Sequence, residues 1–340
     1  SNEFNDTDFS LKISKILKNV INKVNFFKII YNDNIEIPMI GDISPDFVPK
    51  WLFLVDDFAI KKNISKKFNK KVKNNLWNNI FAVLQKKYNS KLNYETTDHN
   101  ELNSIYEYNN SGWFRYNYGD FSMIIRQNET NYENHVGHFH NDQFHFCLFF
   151  KGKYIFVDNG RSTYQSTIKN SNYSKENFAH NSILINDLGS VPVNSNRYYF
   201  KYFKSKNIVK SKKYKNKLYI LIQSSAFSRI NKDIIVKRFF IFDSNNFKIC
   251  DKIYGQTQIN YKSFFYLKPN ISIKKIKNKF ILDNEDSNFS FYSSDNINFN
   301  IKKMNSIFYS EEYGMYKTSN CISKKINIQL PFKIEYFVEF

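Results

Sequence analysis

Cysteine is scarce in this chain of 340 residues, and its three cysteines do not form a metal-binding pattern. Cys147, Cys250 and Cys321 are far apart, odd in number and lack a Cys-x-x-Cys spacing. We therefore expect reduced thiols that behave as small buried apolar residues. A continuous apolar run of about 18 residues is also lacking, so no transmembrane helix is predicted.

Acidic residues are also few relative to basic ones. Lysine and arginine number 50 against 31 aspartates and glutamates, which gives a formal net charge of +19. Such a charge attracts polyanions, namely nucleic acid, anionic lipid or acidic polysaccharide. The lysines are spread along the chain among many Asn and Ile residues, which is also typical of a compositional bias. Neither an RNP-type glycine pattern nor a paired Cys/His motif occurs, so nucleic-acid binding would rest on charge alone and is not expected.

Apolar residues make up 42% of the chain and aromatic residues 18%, so a folded protein is predicted. Two regions differ in character. Residues 1–95 contain apolar residues at helical spacing, which predicts helices over Phe9–Ile30 and from Ser65 to about Tyr88. A connector with proline and glycine residues, reading IPMIGDISPDFVPKW, separates these helices.

Residues 96–340 consist of short β-rich runs separated by Asn, Asp, Gly and Ser. Lys151-Gly152-Lys153, between two strongly β segments, predicts a hairpin turn. Many short strands without intervening helices predict a mainly β fold, an antiparallel multi-stranded β-sandwich preceded by the helical region. The strands expected are Trp113–Tyr118, Phe121–Arg126, Phe144–Phe150, Tyr154–Asp158, Leu218–Phe227, Ile234–Phe242 and further runs to Phe340.

Four of the six histidines lie between His135 and His145, directly before an apolar segment. His138 and His140 are two residues apart, so an extended chain would place both imidazoles on one face. Imidazoles and carboxylates are the groups used for metal binding and proton transfer. A metallo-β-lactamase type of motif, His-x-His-x-Asp-His, is one alternative. Gln143 in place of its last histidine, and the apolar strand that follows, disfavour it.

A linked set of motifs resembles the C-terminal domain of the heparinase II/III-like polysaccharide lyases. The set runs from Gly137 to Ser182 in the family's order and spacing. It comprises Gly137-His138-Phe139-His140-Asn141-Asp142, an apolar strand, a turn at Gly152, Val157-Asp158-Asn159-Gly160, and Ala179-His180-Asn181-Ser182 before another strand. The segment at residues 37–42 also resembles the one that joins the family's helical toroid to its β domain.

The resemblance implies a metal site and a catalytic histidine. His140, Asp158 and His180 match the positions that bind a zinc-like ion as structural support, and this donor set suits Zn²⁺. His138 matches the histidine that faces the cleft and takes part in catalysis.

The loop between the motifs implies further candidates. Tyr164 or Tyr173 would supply a catalytic phenol, and Arg161 would bind a sugar carboxylate. His135 would line the rim of the cleft and bind substrate. We expect Asp142 to support the site indirectly, and His145 to face away from His140 into a buried or hydrogen-bonded position.

The family's reaction is β-elimination within polysaccharides that contain uronic acid, so an acidic polysaccharide is the expected partner and a periplasmic or secreted location is favoured. Full-length members complete the active site with Asn, His and Tyr from a large toroid, whereas this chain has no histidine before His99. We therefore expect either the C-terminal part of a longer lyase, with Phe9–Ile30 as the last toroid helix, or a shortened homologue. A non-catalytic carbohydrate-binding or surface-polysaccharide assembly module is the alternative, and a metal-dependent hydrolase is the third.

Overall fold

The computed structural model describes most of the β-rich region and parts of the N-terminal region. The described residues are 11–12, 15–16, 19, 23, 25–32, 34–41, 99–127, 140–161, 163, 173–191, 205–284, 287–295, 300–302, 308–311 and 315–340. The chain divides into two compact units. One comprises residues 1–28 and 47–99, and the other comprises residues 29–46 and 100–340.

The described part of the first unit is helical. Every described residue from 11 to 27 is in a helix, as the apolar spacing predicts. Phe26 is buried, whereas Leu11 and Ile16 of the predicted apolar stripe are 70% and 56% exposed. The predicted helix from Ser65 to Tyr88 lies outside the described residues. No helix in the described part of the chain is long and apolar enough to span a membrane.

The predicted helix end at Ile30 is wrong, because Ile29 already belongs to a strand of the second unit. Ile29–Tyr31 pairs with Asn34–Glu36, and Asn32 begins the turn with a φ of 52°. β-Branched and aromatic residues favour the extended backbone over the helix. The next residues pack on the same unit, since the Tyr154 hydroxyl donates to the Ile37 carbonyl at 2.7 Å and Lys268 pairs with Glu36 at 2.6 Å.

The second unit is built from antiparallel strands joined by short turns, with a few short 3₁₀ helices. The strands are β1 (Ile29–Tyr31), β2 (Asn34–Glu36), β3 (Ile105–Tyr108), β4 (Trp113–Tyr118), β5 (Phe121–Arg126), β6 (Phe146–Phe150), β7 (Lys153–Phe156), β8 (Ile183–Ile185), β9 (Asn207–Tyr214), β10 (Lys217–Ser224), β11 (Ile235–Phe242), β12 (Asn246–Tyr254), β13 (Gln258–Tyr266), β14 (Ser272–Ile276), β15 (Lys279–Asn284), β16 (Ser287–Ser293), β17 (Asn300–Lys302), β18 (Phe308–Tyr309), β19 (Lys317–Thr318), β20 (Cys321–Gln329) and β21 (Phe332–Glu339). The 3₁₀ helices are Asn109–Ser111, Tyr173–Lys175, Asn177–Ala179 and Ala226–Arg229.

Three larger sheets contain most of these strands. An eight-stranded sheet has the order β14-β15-β16-β21-β12-β11-β10-β9, a five-stranded sheet the order β3-β4-β5-β6-β7, and a four-stranded sheet the order β17-β20-β13-β8. The pairs β1–β2 and β18–β19 form two small sheets. Phe156 of β7 bridges to Leu267, directly after β13, and so links the five- and four-stranded sheets.

The core lies between the sheets and consists largely of phenylalanine. Phe146 of β6 packs edge-on against Phe240 of β11 with ring centroids 5.0 Å apart, so the five-stranded sheet covers the eight-stranded one. Phe265 of β13 packs against Tyr336 of β21 at 4.8 Å, which adds the four-stranded sheet to the same core. All four rings are fully buried. The predicted antiparallel sandwich is confirmed. The three cysteines are buried thiols, as expected.

The hairpin between β6 and β7 is formed as predicted. Lys151 and Gly152 adopt φ values of 48° and 71°, the left-handed conformation that two-residue hairpins require. A Cβ on Gly152 would clash with the Cβ of Tyr31, so this turn also tolerates no side chain where β1 passes.

Candidate metal centre

The candidate centre lies where three segments meet at one end of the β6–β7 hairpin. His140 and His145 precede β6, Asp158 follows β7 by two residues, and His180 lies just before β8. Because β6 and β7 are antiparallel, the start of one and the end of the other are at the same end of the hairpin. This topology brings together residues that are far apart in the sequence.

Asp158 is the centre of a buried group of three side chains. Its Oδ2 lies 2.8 Å from Nδ1 of His180 and 3.1 Å from Nε2 of His145. One possible ligand atom from each of the three residues falls within 4.8 Å of the others, so the group is compact enough to hold a metal ion. The other carboxylate oxygen, Oδ1, accepts the amide proton of Gly160 at 2.7 Å.

The hydrogen bonds of His145 identify it as a donor to Asp158. Its Nδ1 accepts the amide proton of Asn181 at 3.0 Å. A neutral imidazole has one protonated nitrogen, so the proton is on Nε2, which lies against Asp158. In this tautomer His145 has no lone pair left for a metal and instead fixes the carboxylate.

His180 and His140 have ring nitrogen atoms of the kind that bind a metal ion. The side-chain Nε2 of His180 is buried and has no hydrogen-bond partner among the described residues. The His140 ring is 1% exposed, and its centroid lies 5.5 Å from that of His180. An unsatisfied buried nitrogen costs about 1–3 kcal/mol, which a bound cation would offset. Asp158 and His180 of the compact group therefore offer ligand atoms to a metal ion, and His140 lies beside that group rather than within it.

The pKa values follow from burial and from the shared carboxylate. Burial alone would raise the pKa of Asp158, but His180 and His145 beside it lower that pKa below its usual range. Burial lowers the pKa of His145 to about 4, although Asp158 opposes the shift. Burial also disfavours a charged His180, yet the carboxylate of Asp158 outweighs it and raises the pKa of His180. In the absence of metal, Asp158 is therefore ionised beside a neutral His145.

Asn181 fixes the segment that carries His180. Its side-chain amide donates to the carbonyls of Phe146 and Val157 at 2.7 and 2.9 Å, and its Oδ1 accepts the amide proton of Tyr266 at 2.7 Å. One buried side chain thus joins β6, the end of β7 and β13.

Arg238 of β11 supports the same segment from the eight-stranded sheet. Its Nη1 donates to the carbonyls of Asn181 and Phe144 at 2.9 and 3.1 Å. Its Nε and Nη2 form two 2.7 Å bonds with Asp251, and both side chains of this pair are fully buried. Burial disfavours the charge, but Asp251 raises the pKa of Arg238 above its usual range, so the guanidinium is charged.

The other predicted site residues are placed as follows. Arg161 is 5% exposed, and its Nε donates to the carbonyl of Thr163 at 3.1 Å. The hydroxyl of Tyr173 lies 3.2 Å from that of Tyr266, and burial raises the pKa of Tyr173 to about 12. His135, His138 and Tyr164 lie outside the described residues.

The expected buried, hydrogen-bonded position of His145 is confirmed, but sequence reasoning missed its contact with Asp158 and the contact of Arg126 with Asp142. Residues 140–145 are not in a strand, because β6 begins at Phe146, so alternation along a strand did not apply to His145. Arg126 ends β5, lies over the Trp113 ring at 5.5 Å and pairs with Asp142 at 3.2 Å, with 24% of its side chain exposed. Arg126 lies directly opposite Trp113 in the β4–β5 pair, and this pairing was the feature that could have indicated its contact with the Trp113 ring. Asp142 itself is buried.

Solved structures with a similar fold include a heparan sulfate lyase and a heparinase. The chain aligns with heparan sulfate lyase HepC from Pedobacter heparinus with a TM-score of 0.60 and 16% identity, covering 89% of this chain and 44% of that one. It aligns with a crystal structure of heparinase III with a TM-score of 0.61 and 14% identity, covering 96% of this chain and 48% of that one. The chain thus spans less than half the length of these structures. No curated protein matches the sequence.

The family model described as heparinase II/III-like, C-terminal, matches residues 102–329. This range holds His145, Asp158 and His180 and the strands from β3 to β20. The chain therefore belongs to the heparinase II/III-like family.

Proposed function

We propose that this chain is part of a polysaccharide lyase that cleaves an acidic polysaccharide containing uronic acid by β-elimination. The observation that carries the proposal is the buried group around Asp158 inside a match to the heparinase II/III-like C-terminal domain. The similar folds of a heparan sulfate lyase and a heparinase support it. The net charge of +19 is consistent with an anionic substrate.

We further propose that His140, Asp158 and His180 hold a divalent cation, with Zn²⁺ as the best fit to two imidazoles and one carboxylate. Such an ion would tie together the segments before β6, after β7 and before β8 as structural support. The buried Nε2 of His180 and the nearby His140 ring favour this set. His145 would fix the carboxylate of Asp158 through its Nε2 proton.

In the proposed reaction, His138 takes the proton from C5 of the uronate. The electron pair of that C–H bond forms the C4–C5 double bond, and the C4–O4 bond breaks. A phenol then protonates the departing O4, and the hydroxyl of Tyr173, which is protonated at neutral pH, is one candidate. Arg161 would neutralise the carboxylate, which acidifies the C5 proton. Tyr164 is the other candidate phenol.

Because toroid residues complete the family's active site, cleavage is tested on the full-length lyase by the ultraviolet absorbance of unsaturated uronate products from heparan sulfate and from uncharged control glycans. We expect product with the uronate polymer and none with the controls. His138→Ala should reduce the rate of cleavage by about 100-fold or more, since general acid–base catalysis contributes about 10²–10⁴-fold. Binding of a uronate polymer by the full-length protein without any product would instead favour the carbohydrate-binding alternative.

The metal ligands are tested by elemental analysis and metal titration of three variants. His140→Ala and His180→Ala should abolish stoichiometric metal. His145→Gln should retain it with an affinity lower by about 10–100-fold, because a group that orients a ligand is less critical than the ligand. Retention in His140→Ala with complete loss in His145→Gln would assign the ligand set to His145, Asp158 and His180 instead.

A further inference from the structure

The outer face of the eight-stranded sheet, opposite the face from which Arg238 reaches the candidate metal centre, carries a group of lysines. Ile220, Phe240 and Ile249 of β10, β11 and β12 are buried and face the core. Since side chains alternate between the two faces of a sheet, their direct neighbours in these strands point outward. Those outward positions are unusually basic on β9–β12 and β21.

The strand register aligns the outward lysines in rows across the sheet. Lys237 of β11 lies opposite Lys252 of β12, which lies opposite Lys333 of β21. Lys248 lies in another row of the same face, opposite Ile241 and Phe337. Lys210 and Lys212 occupy outward positions at the β9 edge. We call these six lysines the lysine face.

Acidic partners balance only part of the lysine face. Glu335, on the same face, pairs with Lys248 at 2.8 Å and with Lys333 at 3.0 Å. Among the described residues, no ion pair involves Lys210, Lys212, Lys237 or Lys252. Like charges directly opposite in a sheet destabilise it, and Lys237 and Lys252 are such a pair.

Aromatic rings lie between these lysines. The Nζ of Lys237 is 5.1 Å from the ring centre of Tyr254, and the Nζ of Lys252 is 5.1 Å from that of Phe239. Tyr254 is 39% exposed. The face therefore alternates cations with apolar ring surface. Neighbouring strands are about 4.8 Å apart, so the row from Lys237 to Lys333 spans about 10 Å.

We propose that the lysine face is a second, non-catalytic binding surface for an acidic polysaccharide. A row of cations across several strands fits a chain that carries anionic groups along its length, and rings between the cations fit the apolar faces of sugars. The choice of polysaccharide among polyanions rests on the proposed function. The surface would hold the polymer on the protein while another stretch of it reaches the candidate centre.

Binding to immobilised heparan sulfate tests the proposal with two triple variants of equal charge change. Lys237→Gln/Lys252→Gln/Lys333→Gln alters the lysine face. Lys274→Gln/Lys275→Gln/Lys277→Gln, in and just after the exposed strand β14, is the control. We expect the first variant to weaken the Kd at least tenfold and the control to change it less than twofold. The single variant Lys252→Gln, with a loss of about threefold expected, replaces the first if that one does not fold.

Duplex DNA and phosphatidylserine vesicles are tested with the same proteins. We expect the lysine-face variant and the control to bind each of them equally. Equal weakening of heparan sulfate binding in the two variants, or a tenfold loss of DNA or vesicle binding confined to the lysine-face variant, would overturn the proposal. Selective loss of heparan sulfate binding in a protein that cleaves no uronate polymer would retain the lysine face and reject the lyase assignment. Cleavage of a uronate polymer, with heparan sulfate binding unaltered in the lysine-face variant, would retain the lyase assignment and reject the lysine face.

Discussion

Replacement of Arg238 by methionine should destabilise the protein and weaken metal binding together. The variant leaves the Asp251 carboxylate buried with one remaining hydroxyl partner, Tyr261 at 2.7 Å. Removing one partner of a buried ion pair costs about 3–5 kcal/mol, a large share of a typical stability of about 5–15 kcal/mol. It also leaves the carbonyls of Phe144 and Asn181 without their guanidinium donor, next to His145 and His180.

A double variant separates the two effects. Arg238→Met/Asp251→Leu removes the uncompensated charge, so we expect it to recover about 2 kcal/mol or more of the loss in denaturant unfolding. The two carbonyls stay without Arg238 in both variants. The metal affinity should therefore remain lower by about tenfold or more even where stability recovers.

The exposed pair of Lys217 and Asp243, 2.7 Å apart, provides the control. Lys217→Met should change the free energy of unfolding very little, because exposed ion pairs contribute little. The reasoning is refuted if Arg238→Met costs no more than this control, or if the double variant restores the metal affinity of the unaltered protein.

Two further predictions concern protonation and the β6–β7 turn. Burial lowers the pKa of His145 to about 4, so between pH 4 and about 6.5 this side chain binds fewer protons in the folded state than in the unfolded state. The free energy of unfolding of the metal-free protein should therefore fall by up to about 3 kcal/mol as the pH is lowered through that range. The raised pKa of His180 and the lowered pKa of Asp158 affect stability outside that range. In urea titrations, the free energy of unfolding of His145→Gln should therefore depend less steeply on pH than that of the unaltered protein. An equal dependence on pH would contradict the assignment. Gly152→Ala should cost about 2–4 kcal/mol through the contact with Tyr31, whereas Gly119→Ala, also at positive φ but with its nearest atom at 3.7 Å, should cost about 1 kcal/mol in thermal unfolding. Equal costs would show that the clash with Tyr31 is relieved.

The sequence predicted the strands best where alternation was strong and the turn was short. The predicted bounds of β4 and β5 match the structure, and the turn at Gly152 lies where it was expected. The predicted strand from Phe144 starts at Phe146 instead, because Phe144 itself has a φ of 66°. A positive φ in a phenylalanine depends on its surroundings, here the Gln127 side chain that accepts its amide proton at 2.9 Å. Local sequence carries no such information.

The support of the candidate centre was beyond prediction for a similar reason. Arg238 is 94 residues from Phe144 along the chain. The sequence IVKRFFIF predicts a strand, but its pattern does not show whether the arginine faces the core or the solvent. The Asp158 and His180 motifs were visible, and the structure brings these two residues together. The contact of His145 with them depends on the backbone conformation between Asp142 and Phe146, where the amide of His145 donates to the carbonyl of Asp142.

The candidate centre lies on connections between strands, and buried side chains form hydrogen bonds with the backbone of these connections. Loops ordinarily open at low free energy because few of their backbone groups are paired inside the protein. Here the side chain of Asn181 satisfies three main-chain groups, its amide satisfies His145, and its carbonyl is held by Arg238. Opening this segment would therefore break the hydrogen bond from Arg238, which belongs to a buried ion pair, as well as the hydrogen bonds that Asn181 makes itself. The carboxylate of Asp158 and the nitrogen of His180 are consequently held in place before any ion binds, which reduces the entropy that a ligand must overcome.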